Sequence, residues 1–274
     1  MEITSPSGKI YVVGDELGKD ERFKLYQCSD GDNQVCVLKI ARSRGYNGFL
    51  DREAYLLTVM QKEAEELEEE YKSVNKTDKL LNYHFFFPRL VESFISAEQE
   101  NSRITIISLA HVATSLSKLS PISHLRIREN VRVDPRSSAW ILGKLLKLLV
   151  FTHSQNISIG DLDGENILIN REQHYVTIFD WTKAVMGNGT MSSPVAVNEI
   201  SRVALEVTLI LGGNISTGKL PKDEQLKDKS YEDFLRNLLK GRDGFSAGEA
   251  HQKFYQLIRS MWPTKFHRFN THIL

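Results

Sequence analysis

The sequence is poor in the features that mark several protein classes. Only two of its 274 residues are cysteine, too few for a disulfide framework. Seven prolines and seventeen glycines leave no room for collagen-like or low-complexity architectures. There is no surplus of charge of either sign, because 35 Lys and Arg balance 35 Asp and Glu. That argues against a strongly basic nucleic-acid binder. No apolar run approaches the ~18 residues of a membrane span; the most apolar stretch, 140–151, is broken by Lys144 and Lys147. The first ten residues lack the basic start and apolar centre of a signal peptide. Histidines paired as H-x-x-x-H and cysteines paired as C-x-x-C are both missing, so no structural zinc site is expected. Cys28 and Cys36 flank a polar stretch that reads as a hairpin turn; a cross-strand bridge is one reading, and two free thiols in a reducing compartment is the preferred one. The expectation is a cytoplasmic protein without a membrane span; export by a route that needs no signal peptide stays open.

What is present is enough for a sizeable core: 41% hydrophobic, 26% charged and 9% aromatic residues. The length suits one large domain or two lobes. Residues 10–13, 24–28 and 34–41 are short runs rich in β-branched side chains and predict a small antiparallel sheet. The period then changes. Leu50, Glu53, Leu57, Met60, Ala64, Leu67 and Tyr71 follow a 3-4 spacing that marks one face of a long helix. Its glutamates at 63, 65, 66 and 68–70 read as a solvated face. Residues 88–96 and 103–110 predict two more strands, with a polar linker over 74–79 before them. Beyond 110 the pattern is mainly helical, with one helix running to about His153. Short β runs follow at 166–170 and 175–180, then a polar loop at 185–198. A helix at 199–213 is apolar nearly all round. A further loop covers 214–230, and helices are expected near 231–240 and 247–261. This is an α+β pattern, with a β-rich part over 1–110 and a mainly helical part over 111–274.

Four polar features stand out. Lys39 lies in the apolar strand V-C-V-L-K-I-A, where a lysine is costly to bury unless paired; on an edge strand it would instead reach solvent. Glu53 interrupts the apolar helix stripe, and a carboxylate there wants a cation. Each can satisfy the other. Asp161 and Asn166 stand five positions apart in G-D-L-D-G-E-N-I-L-I, so one short loop can present a carboxylate and an amide oxygen. The carboxylate can take a proton from a hydroxyl, and the amide oxygen suits a hard cation. Asp180 closes a β run fourteen residues further on, where its side chain is rigidly held.

In this order and spacing the motifs resemble the eukaryotic-type protein-kinase superfamily. V-L-K-I resembles the strand-three V-A-I-K motif and F-L-D-R-E-A-Y-L-L resembles helix C. G-D-L-D-G-E-N-I-L-I resembles the catalytic loop H-R-D-L-x-x-x-N, and F-D-W-T resembles D-F-G. The resemblance spans roughly 10 to 213. It implies a bilobal kinase-like fold, with a small β-rich N-lobe carrying one long helix and a larger helical C-lobe. It implies ATP and Mg²⁺ as cofactors, Lys39 on the α- and β-phosphates held by Glu53, Asn166 and Asp180 on the metal, and Asp161 as the group that orients and deprotonates an acceptor hydroxyl. Adenine would sit near 108–111.

The departures carry information as well. Ile159 and Gly160 stand where the family has His and Arg; without that arginine, activation by loop phosphorylation is not required. Trp181 and Thr182 replace Phe and Gly. Asp163 stands where Ser/Thr kinases carry a lysine, and Glu199 replaces the helix-F aspartate. Of the glycine-rich loop only Gly14 and Gly18 remain, and no A-P-E is found. The I-x-G-D and D-W pattern is similar to aminoglycoside and choline kinases. The expected function is therefore an ATP-dependent phosphotransferase, first a Ser/Thr protein kinase acting on a protein substrate. A small-molecule kinase with an acceptor pocket built from 111–138 is the alternative. A non-catalytic pseudokinase that binds partners is a further one, and AMP transfer on the same fold is another.

Overall fold

The computed structural model describes residues 2–30, 35–76, 80–226, 228–242, 244–262 and 265–274. The expected hairpin turn over 31–34, and the linker positions 77–79 and 227, lie outside the described residues. The chain divides into two compact units: Met1–Leu119 with Phe179–Ala184, and Ser120–Ile178 with Val185–Leu274.

The first unit is built on six antiparallel strands: β1 (Glu2–Thr4), β2 (Ile10–Lys19), β3 (Phe23–Ser29), β4 (Val35–Ala41), β5 (Arg89–Ser96) and β6 (Ser102–Ser108). Their order is β1-β2-β3-β4-β6-β5. Strand alternation sorts the side chains of β4 onto two faces. Cys36, Leu38 and Ile40 join a core with Tyr11, Ile104 and Ile106. Val37, Lys39 and Ala41 therefore point the other way, where Ala41 packs with Phe23 and Leu50. Cys28 and Cys36 are direct cross-strand partners and are buried free thiols.

Leu50 belongs to α1 (Asn47–Asn75), which lies against β5 and β6. The stripe buries Leu50, Glu53, Leu57, Met60 and Ala64 and then stops; Leu67 and Tyr71 are only half-buried. The acidic face is not all solvated as expected. Glu68 accepts hydrogen bonds from the backbone N–H groups of Leu81 and Asn82 at 2.9 and 3.0 Å, which ties the returning chain to the helix.

The second unit is mainly helical: α2 (Ile122–Ile127), α3 (Pro135–Ser154), α4 (Ser193–Ile210), α5 (Ser230–Leu239) and α6 (Ala247–Met261). Its short strands are β7 (Ser120–Pro121), β8 (Val131–Val133), β9 (Ile157–Ser158), β10 (Ile167–Asn170), β11 (Tyr175–Ile178), β12 (Val185–Met186) and β13 (Thr271–Ile273). They pair as β7-β10-β11, β9-β12 and β8-β13. The helix α4 packs against α3 and α5 and starts six residues before the expected 199. Ser192 stands at its N-cap and Pro194 in its first turn, where a missing N–H costs nothing. The loop expected over 185–198 is correspondingly short. Just beyond the end of α4, Gly212 takes a φ of +73°, the left-handed conformation that glycine adopts without steric cost. No helix among the described residues is long and apolar enough to cross a membrane.

The helix that leads into the loop carrying Asp161 and Asn166 is α3, and its start is firmly held. Asp134 is fully buried at the N-cap. Its carboxylate accepts from the Ser137 N–H at 2.6 Å and from Gln225 Nε2 at 3.1 Å, and it lies 2.7 Å from His267 Nε2. Burial alone would raise its pKa, but these hydrogen bonds outweigh burial and hold it below the usual aspartate value. A depressed carboxylate favours the folded state at neutral pH, and that contribution fades as pH falls through the folded pKa. Asp134→Ala is expected to cost about 2–3 kcal/mol at pH 7 in urea denaturation, with the difference shrinking in acid. A loss below about 0.5 kcal/mol would show that the cap does not hold α3.

Candidate active site

In the first unit, three charged side chains meet. Lys39 sits on β4, which is hydrogen-bonded on both sides by β3 and β6, so the edge-strand route to solvent is closed. Its side chain is 1% exposed and that of Glu53 is fully buried. Lys39 Nζ donates to Glu53 Oε1 at 2.6 Å and to Asp180 Oδ1 at 2.9 Å. The Phe179 ring lies 4.7 Å from the same ammonium. Burial works against the charge on Lys39, but Asp180 and Glu53 more than offset it, and its pKa is raised. Glu53 is pushed upwards by burial, against the pull of Lys39. Asp180 is also penalised by burial, yet Lys39 and the Thr182 hydrogen bonds hold it below the usual range. Asp180 is thus an ionised carboxylate whose side chain keeps 23% of its surface exposed.

The D-W-T departure has a local explanation. The Trp181 N–H donates to Glu53 Oε1 at 3.0 Å. Its indole is fully buried and meets Phe87 edge-on at 6.3 Å. The Thr182 hydroxyl donates to Asp180 Oδ2 at 2.9 Å. Trp181 therefore anchors the segment and Thr182 orients the carboxylate.

Of the two glycines left near the expected phosphate loop, neither sits where a side chain would collide. A Cβ on Gly14 would approach the Gln27 carbonyl oxygen at 3.5 Å, and one on Gly18 would lie 4.0 Å from Leu25 Cδ1. Instead of a glycine-rich turn, β2 continues to Lys19 with two register shifts. Asp20 closes the turn by accepting the Phe23 N–H at 2.8 Å. At 108–111, the Ala110 N–H is taken by Ser108 Oγ and the Leu109 carbonyl by Val112 and Ala113.

In the second unit, β9 leads into the loop that carries Asp161 and Asn166. This loop is fastened from behind by Glu199 of α4. Glu199 Oε1 accepts from Ser158 Oγ at 2.9 Å, the Ile159 N–H at 2.6 Å and the Gly160 N–H at 2.9 Å. Its other oxygen lies 2.7 Å from His153 Nε2. The longer glutamate thus does the fastening at the position where the resemblance has an aspartate. Gly160 has a φ of +74°, which the arginine of the family motif would adopt only with strain. The Asn166 amide donates through Nδ2 to the Asp161 carbonyl at 2.8 Å, which sets the direction of its Oδ1. Asp163 accepts the N–H groups of Glu165 and Asn166, both at 3.1 Å. It also shares a hydrogen bond with Asp161; burial and then that neighbouring charge push its pKa up.

Sequence reasoning missed Glu206. It lies on α4 beneath Gly164, whose N–H it accepts. A Cβ on Gly164 would come within 2.7 Å of Glu206 Oε2 and 3.2 Å of the Ser123 backbone nitrogen, so a side chain here would push the Glu206 carboxylate aside. The available signal was a glutamate in an otherwise apolar helix.

Within the first unit, the ionised, partly exposed Asp180 is an oxygen donor of the kind Mg²⁺ takes, and the Lys39 ammonium suits phosphate oxygens. Within the second, the oriented Asn166 amide offers an oxygen of the same kind.

No family model matches the sequence, and no curated protein matches it. Among solved structures, vaccinia-related kinase 3 is similar, with a TM-score of 0.62 and 16% identity over 95% of this chain and 90% of that one. The chain thus has the α+β, protein-kinase-like fold.

Burial and the nearby Asp163 charge raise Glu206 from the ordinary 4.5 to about 7. A raised carboxyl favours the folded state most below its ordinary value, and this is lost as pH rises through about 7. Glu206→Gln mimics the protonated form. In thermal melts at pH 8.5 the variant should gain up to about 3 kcal/mol over the parent, and under about 1 kcal/mol at pH 5. An equal difference at both pH values would contradict the assignment.

Proposed function

We propose that the chain is an ATP-dependent phosphotransferase, and specifically a Ser/Thr protein kinase. The observation that carries this reading is the buried Lys39 ammonium held between Glu53 and an ionised Asp180. A buried ion pair is weak as a stabilising device, because well-packed apolar residues would serve as well. A cation with one fixed orientation and a carboxylate with residual exposure are what phosphate and metal binding need.

The roles follow from charge. When bound, ATP supplies the transferable phosphoryl group and Mg²⁺ neutralises its phosphate oxygens. Lys39 binds α- and β-phosphate oxygens, and Glu53 keeps its side chain extended. Asp180 and Asn166 supply the metal ligands. Asp161 orients the acceptor hydroxyl and takes its proton. Glu199, Trp181 and Thr182 are positioning residues, which hold the loop backbone, the 179–182 segment and the Asp180 carboxylate.

A second reading, a small-molecule kinase, is favoured by the segment 111–138. Part of it is tied to the loop that carries Asp161 and Asn166. The Ser123 N–H donates to the Gly164 carbonyl at 3.1 Å and its hydroxyl to Glu165 at 2.6 Å. The helix α2 thus docks on the Asp161–Asn166 loop, where it can shape an acceptor pocket.

The test is transfer from γ-labelled ATP with Mg²⁺ to a protein acceptor and to a panel of small hydroxyl compounds. Label on protein should appear with the parent and fall at least about 100-fold in both Asp161→Ala and Asp180→Ala. Label confined to small molecules would overturn the protein-kinase assignment. Nucleotide binding without transfer would overturn the enzymatic one. Labelled AMP on the acceptor would replace phosphoryl transfer with AMP transfer.

A further inference from the structure

The second unit contains a cavity of about 710 Å³ between α3, α6, the β10–β11 turn and residues 265–267. This lies within the size range of small-molecule sites. Its lining is unusual in charge. Five cations face it, Arg136, Lys144, Lys147, Arg259 and Lys265, and no acidic side chain does so among the described residues. Lys144 is half-buried and makes no ion pair among the described residues; burial alone lowers its pKa. Neighbouring imidazoles sense the same field. The pKa of His174 is lowered by burial and then by His267 and Lys144, and that of His251 by burial and then by Lys147. His267 itself is engaged with Asp134.

The walls between these cations are flat and apolar. Trp140 meets His174 edge-on at 4.9 Å, and His174 meets Phe266 in the same way at 4.9 Å. Arg259 stacks over Tyr255 at 4.5 Å. Trp140 also carries a buried indole N–H with no partner among the described residues, a donor left for a ligand acceptor. The room has a sequence origin. At Gly143 of α3 a Cβ would meet Phe254 at 2.9 Å, so the missing side chain lets α6 bring its aromatic residues close to α3.

The half-buried Lys144 ammonium is costly to desolvate unless an anion completes it, and the exposed Arg259 and Lys265 add positive charge at the rim. A solvated basic patch would not need aromatic walls, and a purely apolar hole would not need cations. We propose that this cavity is a binding site for a small anion with a flat apolar body, of the aromatic phosphate or carboxylate class. The ring lies against Trp140 and Tyr255, and the anionic group is met by Lys144 and Arg259. The site uses none of the residues assigned to phosphoryl transfer.

The test uses the full chain and 1-naphthyl phosphate, with a neutral naphthyl alcohol and inorganic phosphate as separate arms, followed by calorimetry. The aromatic phosphate should bind at least about tenfold more tightly than either arm, and the Lys144→Gln, Arg259→Gln double variant should lose at least tenfold. Asp180→Asn should bind the probe as the parent does, which separates this site from the proposed nucleotide site. Lys144→Met alone should raise the melting temperature while weakening the probe, since it removes a half-buried ammonium that makes no ion pair among the described residues; this guards against a variant that merely unfolds. Equal binding of the neutral alcohol would reduce the cavity to an apolar hole, and equal binding of phosphate would remove the role of the walls. Unchanged affinity in the double variant would place the probe elsewhere. Any of these results, or no binding at all, overturns the proposal.

Discussion

The first unit is organised around one lysine that cannot reach water. Strand alternation turns Lys39 of β4 toward α1, and the strands on either side close its escape. Its charge then requires carboxylates, and two arrive from distant places in the sequence: Glu53 on the helix and Asp180 on the 179–182 segment. Removing one partner of such a pair typically costs 3–5 kcal/mol because the other charge stays buried. Sheet, helix and segment are therefore interdependent through about three atoms. Apolar packing could hold the same elements together with no charge at all. The cluster is polar instead: one cation lies between two carboxylates, and one of these, Asp180, keeps part of its surface exposed.

The second unit applies the same logic to a backbone. The loop with Asp161 and Asn166 buries Ile159 and Leu162, but its backbone N–H groups need acceptors of their own. It is held by carboxylates of α4: Glu199 gathers two backbone N–H groups and a hydroxyl, and Glu206 reaches Gly164. Similarity to a kinase structure at 16% identity is compatible with this. Thr182 orients Asp180 through its hydroxyl, a bond that a glycine could not make.

Much of this was legible in the sequence because it rests on period and charge. The strands at 34–41 and 103–110, the long helix and the helix at 247–261 follow from alternation and 3-4 spacing. Lys39 and Glu53 stood out as charges in apolar company. What was illegible depends on contacts distant in sequence. Nothing local marks Glu68 as a tie for residues 81 and 82, or Glu206 as a partner of Gly164. The early start of α4 was hidden by Ser193 and Pro194, which read as loop residues yet serve a helix start well. The expected division near 110 and the one at 119/120 differ because residues 111–119 continue the first unit, and Phe179–Ala184 group with it through the contacts of Asp180 and Trp181. A linear reading cannot assign a segment to a unit that ended sixty residues earlier.

The central claim is that the Lys39–Glu53–Asp180 cluster is a site for nucleotide phosphates and a divalent cation. Calorimetric titration of ATP with and without Mg²⁺, into the parent and into Asp180→Asn, tests it most directly. The account predicts that Mg²⁺ tightens ATP binding at least about tenfold in the parent and not in the variant, which keeps the shape of Asp180 and loses its charge. The same Mg²⁺ effect in both proteins would contradict it.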